Sequence, residues 1–510
     1  MGDRVQALRA RWKTICCLKE AASLLWWDRQ THMPPGGAPP RAEQLATLQR
    51  LAHQLLVADE TRQLLESAER EVEGLSQDDD DYCLVRACRR EFRRAACLPA
   101  ELVAELASTT VMAQEAWVDA RRKKRYAVFL PHLVKILGLI KQVAEHRGYQ
   151  EHPYDALLDE YEPGLKTGTV RRLFAELGPP LVDLVGRIRE SGVQLDDSVL
   201  NQSFPKERQI ELAHEVTAEI GYDFRHGRLD LAEHPFCSSS SSQDVRITNR
   251  YDEGRLASSI FGALHEAGHA LYELGSPPAF DHTPLRGSNS MGFHESQSRF
   301  WENMVGRSRA FWRHFYPRLV SHFPEQLGGY DVEQFYRAVN KVQPHFIRVE
   351  SDELTYNLHI LLRFEIELDL LEGKLDPAQV PEAWNAAMQR YLGITPPDDA
   401  AGCLQDIHWS DGLFGYFPTY TLGNLIAAAL WERMSQDLGD LEPLIAGGQF
   451  SSILGWLRQN LHRHASKYLP EELLLRVTGQ GLRVQPFLNY LQRKYGELYR
   501  LTFAGAGQRA

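Results

Sequence analysis

The chain has 510 residues, a formal net charge of −11 and 43% hydrophobic residues. It is long enough for a large core, and length alone allows roughly two to four domains. The mildly acidic balance argues against a nucleic-acid binder, and no apolar run approaches the roughly 20 residues of a membrane span. Seven cysteines, Cys16, Cys17, Cys83, Cys88, Cys97, Cys237 and Cys403, are odd in number and form no Cys-x-x-Cys pair. That fits free thiols in a reducing compartment. The first residues, Met-Gly-Asp-Arg-Val-Gln, lack the apolar stretch of a signal peptide. The expectation is a soluble cytoplasmic protein. Basic residues 121–125 read as a solvated helix face and Asp78 to Asp81 as an exposed loop or helix start.

Residues 1 to about 222 read as a succession of helices. Leu8, Trp12, Ile15 and Leu18 have helical spacing, as do Leu45, Leu48, Leu51 and Leu55. Met33-Pro34-Pro35-Gly36-Gly37 breaks the two apart. Further helices are expected near 79–97, 100–120, 129–147, 168–192 and 206–220. From Asp223 the pattern changes. The stretches 228–232 and 244–250 alternate like short strands. Val245 and Ile247 would face one side, Asp244, Arg246 and Thr248 the other. Between the strands, the low-complexity run Ser238 to Ser242 reads as a mobile loop. Helices return at 255–274, 290–306, 351–371, 380–392, 420–436, 450–461 and 484–499. No linker divides the chain, and no repeat of fixed period occurs.

The most informative stretch is Leu264-His265-Glu266-Ala267-Gly268-His269-Ala270. Residues i and i+4 lie on one face of a helix. His265 and His269 can therefore offer two imidazole nitrogens to a single metal ion. Glu266 lies about 100° round the helix, beside the metal, where a carboxylate can take a proton from a metal-bound water. This is the His-Glu-x-x-His arrangement of zinc peptidases. Leu256, Ile260, Leu264, Ala267, Leu271 and Leu274 mark the helix independently. Asp252 is the expected N-cap, and Gly275 with Pro277 the expected stop. Gly268 weakens the helix but admits a close neighbour. The bland alternative is two core histidines that share this spacing by chance.

Two histidines do not hold a catalytic zinc, so a third ligand is needed. Glu295, in Gly292-Phe-His-Glu-Ser-Gln-Ser-Arg-Phe-Trp-Glu-Asn, is the best candidate. His294 and Glu302 are rivals, and Glu302 also suits an outer role that orients a ligand. A strand over 244–248 is where an extended peptide can pair by its main chain. Arg246 would then meet substrate, or be locked to Asp244. Arg348, in Ile347-Arg348-Val349-Glu350-Ser351-Asp352, lies just before a helix that Ser351 or Asp352 can cap. Its guanidinium suits a carboxylate, including a peptide C-terminus; pairing with Glu350 or Glu353 is the alternative. Gln405, Asp406, His408 and Trp409 precede Gly412 and Gly415-Tyr416-Phe417-Pro418-Thr419-Tyr420. That polar and aromatic loop is a candidate pocket wall. Tyr420 or Tyr416 can donate to an oxyanion; capping and packing are the alternative for Asp406 and Trp409.

In order along the chain stand His234-Pro235-Phe236, Asp244-x-Arg246-x-Thr248, His265-Glu266-x-x-His269, His294-Glu295-Ser296-Gln297, Ile347-Arg348-x-x-Ser351-Asp352 and Gly402-x-x-Gln405-Asp406-x-His408-Trp409. Together they resemble the carboxypeptidase Taq family of metallocarboxypeptidases. Leu24-Leu-Trp-Trp-Asp28 and the stretch 415–424 look like that family too. The resemblance implies a mostly α, zincin-like helical metallopeptidase with a small β-sheet beside the metal-binding helix and a deep central cleft. It implies a single metallocarboxypeptidase over 1–510, with 1–222 as a helical N-terminal wall and 223–510 binding metal and substrate. It implies one zinc per chain held by His265, His269 and Glu295, or another divalent transition metal such as Co2+. Glu266 is then the base, and the partners are peptides and a second copy in a homodimer. Single residues would leave peptide C-termini with broad preference, poorly beside proline. One departure stands out: the segment after Phe236, usually glycine-rich in such proteins, is here Cys237 and five serines.

The expected reaction is water-promoted hydrolysis. Glu266 takes a proton and passes it to the leaving amine. His234, Tyr420 or His408 stabilises the oxyanion, and Arg348, ahead of Arg246, fixes the terminal carboxylate. An endopeptidase with the same zinc chemistry and a peptide-binding protein without catalysis are the rival readings.

Overall fold

Apolar spacing places the first long helix. Helix α1 (Asp3–Thr31) buries Val5, Leu8, Trp12 and Ile15 along one face. These join Leu56, Leu65, Leu84 and Cys88, and also Phe280 and Leu285 from much later in the chain. Each such buried side chain contributes roughly 1.5–3 kcal/mol. The computed structural model describes residues 2–288 and 290–503, and 67% of it is helical.

The chain divides into two compact units. The first takes Met1–Ala96, Asp197–Val339 and Leu430–Gln480; the second takes Cys97–Asp196, Asn340–Ala429 and Gly481–Ala510. Residue 222, where the sequence changes character, lies inside the first unit.

In the first unit the sheet has strands β1 (Leu229–Leu231), β2 (Cys237–Ser241) and β3 (Asp244–Asn249), in the order β1-β3-β2. Strand β1 runs parallel to β3 and β2 antiparallel, with Leu229 and Cys237 both opposite Ile247. Val245 and Ile247 are fully buried, as the alternation requires. Two expectations change here. Ser238 to Ser242 do not form a mobile loop, because four of them sit in β2 and the hydroxyls have partners. Ser239 donates to Glu273 Oε2 at 2.9 Å, Ser240 to Asp244 at 3.1 Å and Ser242 to Asp281 at 2.9 Å. Strand β3 cannot pair with a peptide, because β1 and β2 already occupy both its edges.

Helix α2 (Leu256–Leu274) is buried on nearly all sides and packs on β2 and β3. Its N-cap is Arg255, not Asp252. Asp252 builds the preceding turn, its carboxylate accepting from Gly254 N–H at 2.9 Å. Gly275 ends the helix as expected. Helix α3 (Met291–Arg299) is capped by Ser290, whose hydroxyl accepts from Phe293 N–H at 3.1 Å. The helix expected over 290–306 then widens into a π turn at Phe300–Val305, with Gly306 N–H bonded to Trp301 carbonyl at 2.9 Å. Such turns recur at functional sites.

The second unit is built around α4 (Tyr356–Glu372), whose buried residues include His359, Arg363 and Glu367 as well as its apolar ones. Helices Thr167–Glu190 and Val380–Leu392 pack against it. Thr355 precedes α4; Asp352 instead closes the turn before it, accepting from Leu354 and Thr355 N–H.

Gly268 on α2 meets the backbone of α3. A Cβ there would lie 2.5 Å from Gln297 carbonyl O and 2.7 Å from Ser298 Cα. Gly268→Ala is expected to cost about 1–3 kcal/mol through forced backbone displacement, although alanine favours helix. Denaturant unfolding checks this; an unchanged midpoint would contradict it.

Candidate functional site

Two constellations stand out, one in each unit. In the first unit, α2 presents His265 and His269 one turn apart, and α3 presents Glu295. Their ligating atoms lie within 4.8 Å of one another. Glu295 Oε2 is 3.6 Å from His265 Nε2 and 3.4 Å from His269 Nε2. Donors held about 2.0–2.2 Å from one tetrahedral ion stand roughly 3.3–3.6 Å apart. The spacing fits a single small divalent cation.

The outer contacts decide which nitrogens face that point. His269 Nδ1 donates to His294 carbonyl at 3.0 Å. His265 Nδ1 donates to Glu302 Oε2 at 2.9 Å. Both acceptors only accept, so each Nδ1 carries a proton and the two Nε2 atoms are the ones left to face a cation. Arg299 fixes Glu295 by its other oxygen, Oε1, at 2.6 Å. Ser298 Oγ donates to Glu295 Oε2 at 3.0 Å. His294 turns away, to Glu273 Oε1 at 3.2 Å, and its ring stacks on His269 at 4.3 Å.

The electrostatics agree with this set. Burial lowers His269 to about 3, so it is neutral at ordinary pH. Burial opposes charge on His265 as well, but Glu295 and Glu302 outweigh it and raise the pKa. Carboxylates that favour a proton on His265 favour a cation in its place. Burial also opposes ionisation of Glu302, yet Arg299 and the His265 contact hold it at about 2. Glu266, buried, is raised to about 7, by burial first and by the Glu295 and Glu302 charges against His265.

In the second unit, Asp406 divides its two oxygens between two guanidinium groups. Arg348 donates from Nε and Nη2 to Oδ1 at 3.0 and 2.8 Å, and Arg363 from Nε to Oδ2 at 2.7 Å. Arg348 Nη1 also donates to Tyr356 Oη at 2.7 Å. His408 Nε2 and Tyr420 Oη are 3.1 Å apart, and the Arg348 guanidinium lies over the Tyr420 ring at 4.7 Å. Burial lowers His408 to about 3, so it is neutral. Its Nδ1 is buried and has no hydrogen-bond partner among the described residues. Two arginines against one aspartate leave one buried positive charge in excess. Glu367, raised to about 7 mainly by burial, offsets it only in part.

Not every expected site residue joins these groups. Arg246 is locked to Asp244, with contacts of 2.8 and 2.9 Å, and lies over the Trp27 ring at 4.3 Å. Its charge is therefore neutralised pairwise, and β3 has no free edge beside it. His234 is exposed on the segment between β1 and β2.

The sequence model of the family described as Carboxypeptidase Taq (M32) metallopeptidase matches residues 7–495. The chain is 44% identical to thermostable carboxypeptidase 1 of Thermus thermophilus, over 94% of this chain and 96% of that protein. The chain belongs to the carboxypeptidase Taq family. It is a metallocarboxypeptidase, a hydrolase of peptide bonds that uses a divalent metal. Carboxypeptidase 1 of Bacillus subtilis is 39% identical over 96% of this chain and 97% of that protein. The fold agrees: an M32 carboxypeptidase structure from Deinococcus radiodurans matches with a TM-score of 0.95 at 40% identity, covering 98% of this chain and 100% of that one.

Several members of the two constellations were not singled out from the sequence. Arg299 and Arg307 flank Glu302, Glu273 holds His294, and Arg363 shares Asp406. Arg299 carried a readable signal, four residues after Glu295 on one helix face. Arg363 carried none, since its partner is distant in sequence.

Two outcomes follow for this carboxypeptidase. Glu302→Gln weakens the hold on His265, so metal affinity is expected to fall 10–100-fold; competition with a chelator measures it, and unchanged affinity would refute the role. Glu367 has a raised folded pKa, so the folded state keeps its proton longer than the unfolded chain, whose glutamate ionises near about 4.3. Its contribution is full below that pH and is lost as pH rises through about 7. Relative to Glu367→Gln, wild-type unfolding free energy should fall across this window by a few kcal/mol, on the order of 1.4 kcal/mol per pH unit. A flat difference would contradict the shift.

Proposed function

We propose that the chain is a zinc carboxypeptidase that removes single residues from peptide C-termini with broad preference, with Glu266 as general base. The observation that carries this reading is the convergence of His265 Nε2, His269 Nε2 and Glu295 Oε2 at one point, with both Nδ1 atoms already committed. One carboxylate and two neutral imidazoles suit zinc better than magnesium or calcium, which prefer all-oxygen sets. When bound, the ion supplies Lewis-acid polarisation of the scissile carbonyl and acidifies water.

The residues supply the rest. Glu266 is next to a ligand on α2 but turned off its face, so it accepts the proton of the attacking water. It then returns that proton to the leaving amine nitrogen. Glu302 and the His294 carbonyl keep the imidazoles in the required tautomer. Arg348 is the assigned partner of the substrate's terminal carboxylate. The excess positive charge of its cluster supports this, whereas Arg246 is already neutralised by Asp244. His408, with Tyr420, is a neutral polar group for the peptide; His408 Nδ1 supports that role by having no hydrogen-bond partner among the described residues. Zinc identity, broad preference and a homodimer belong to the same proposal. Exposed Val103, Val111 and Val118 on helix Ala100–Lys123 support a second copy as partner. Seven free thiols support a cytoplasmic setting.

The test pairs metal analysis with a peptide offered as free acid and as its C-terminal amide. Expected are zinc bound at the catalytic donors and release of a terminal residue from the acid alone. Glu266→Gln should lower kcat by roughly 10²–10⁴-fold. Arg348→Met should erode the preference for the acid. Equal cleavage of both peptides would point to an endopeptidase, and metal without turnover to a binding protein.

A further inference from the structure

A second cluster of metal-ligating groups is built on α1 rather than α2. Cys17 and Glu20 are three residues apart on α1 and share a face. His282 comes from the segment that joins α2 to α3. The ligating atoms of Cys17, Glu20 and His282 all lie within 4.8 Å of one another. His282 Nδ1 is 2.7 Å from Glu20 Oε2 and 3.8 Å from Cys17 Sγ.

One detail separates a metal site from a nucleophile with its base. A base that relays a proton uses one ring nitrogen for the nucleophile and the other for the orienting acid. Here the same nitrogen, Nδ1, faces both the sulfur and the carboxylate. The 2.7 Å Nδ1–Oε2 contact is a hydrogen bond, shorter than the roughly 3.3–3.6 Å of two donors on one tetrahedral ion, so an ion would take the place of that bond's proton and part the two groups by about 0.6–0.9 Å. The other oxygen of Glu20 is engaged separately, with Arg286 4.0 Å from Oε1, which leaves Oε2 for the cluster.

The surroundings hold these groups in place. Phe280 and Leu285, on either side of His282, are buried in the core that α1 forms with its neighbours. His282 itself has a left-handed backbone, φ 60°, which a non-glycine residue rarely adopts. Glu20 is mostly buried, while Cys17 is exposed and keeps one side of the cluster open to water. Cys16, next door, is not a competing ligand: burial, with Glu91 adding to it, pushes its thiol to about 12.

We propose that Cys17, Glu20 and His282 form a second metal site, separate from the catalytic donors, for a borderline divalent ion of the zinc class. A thiolate with an imidazole selects such ions over magnesium and calcium. Coordination requires the thiol to lose its proton to solvent and His282 to carry its proton on Nε2. A bound ion would tie α1 to the segment between α2 and α3, the two helices that carry the catalytic donors.

Cobalt titration of the metal-stripped full chain tests this. The catalytic set has no sulfur, so a thiolate-to-cobalt charge-transfer band reports the second site alone. Expected are about two equivalents bound by wild type, with the band, and about one equivalent without it for Cys17→Ser. His282→Ala should weaken the band-forming step at least roughly tenfold. Peptidase activity of Cys17→Ser at one equivalent should match wild type, so loss of this site and loss of the catalytic reading are distinguishable. No band in wild type, a band that survives Cys17→Ser, or one indifferent to His282→Ala would each overturn the proposal.

Discussion

The first unit depends on how closely two helices can approach. α3 lies against α2 at Gly268, where its backbone occupies the space a Cβ would take. A glycine inside a helix costs about 1 kcal/mol relative to alanine. Here that cost is offset by what the approach allows. Glu295 lies on α3 just before the contact, and His269 on α2 just after Gly268. Only at this separation does one carboxylate oxygen reach 3.4 and 3.6 Å from two imidazole nitrogens. An outward shift of about 1 Å would leave three donors that no single ion spans, since metal–ligand lengths vary by only about 0.2 Å.

Given that separation, both constellations use a carboxylate in the same way. Each fixes one oxygen and directs the other. Glu295 gives Oε1 to Arg299 and Oε2 to the imidazoles. Asp406 gives Oδ1 to Arg348 and Oδ2 to Arg363. The outcomes differ in charge. Around Glu295 the two acids and two arginines are matched, so the imidazoles stay available for a cation. Around Asp406 the arginines outnumber the acid, so the cluster is suited to an anion. Burial amplifies both effects, because charges out of water interact more strongly.

How far the sequence reveals this depends on the range of each interaction. Helix α2 and its histidines were readable because a 3.6-residue period lies within one segment. Glu295 is readable as the best candidate, but setting its rivals His294 and Glu302 aside is a further choice. That choice needed His294 turned to Glu273 and Glu302 placed on His265 Nδ1, both tertiary facts. Arg246 and Arg348 look alike in sequence, each beside acids. They differ because Asp244 neutralises one on its own strand, while Asp406 must serve both Arg348 and Arg363. Helix Arg309–His322 escaped the reading because Pro317 sits inside it, where proline normally signals a break.

The serine run shows the opposite failure, where composition was read as geometry. Five identical residues have no period, so nothing in them announces a strand. What glycine offers beyond serine is left-handed backbone. No serine among the described residues has positive φ, so β2 never asks for what glycine provides. What serine adds is a hydroxyl. Ser239 donates to Glu273 Oε2, Arg286 reaches both, and Glu273 Oε1 holds His294, whose ring stacks on His269. The run is thus continuous, through three contacts, with His269, whose Nε2 faces Glu295. A glycine at 239 would leave Glu273 with one donor fewer and His294 less firmly placed. The hydroxyl at 239 therefore reinforces the side of the first unit where His269 meets Glu295.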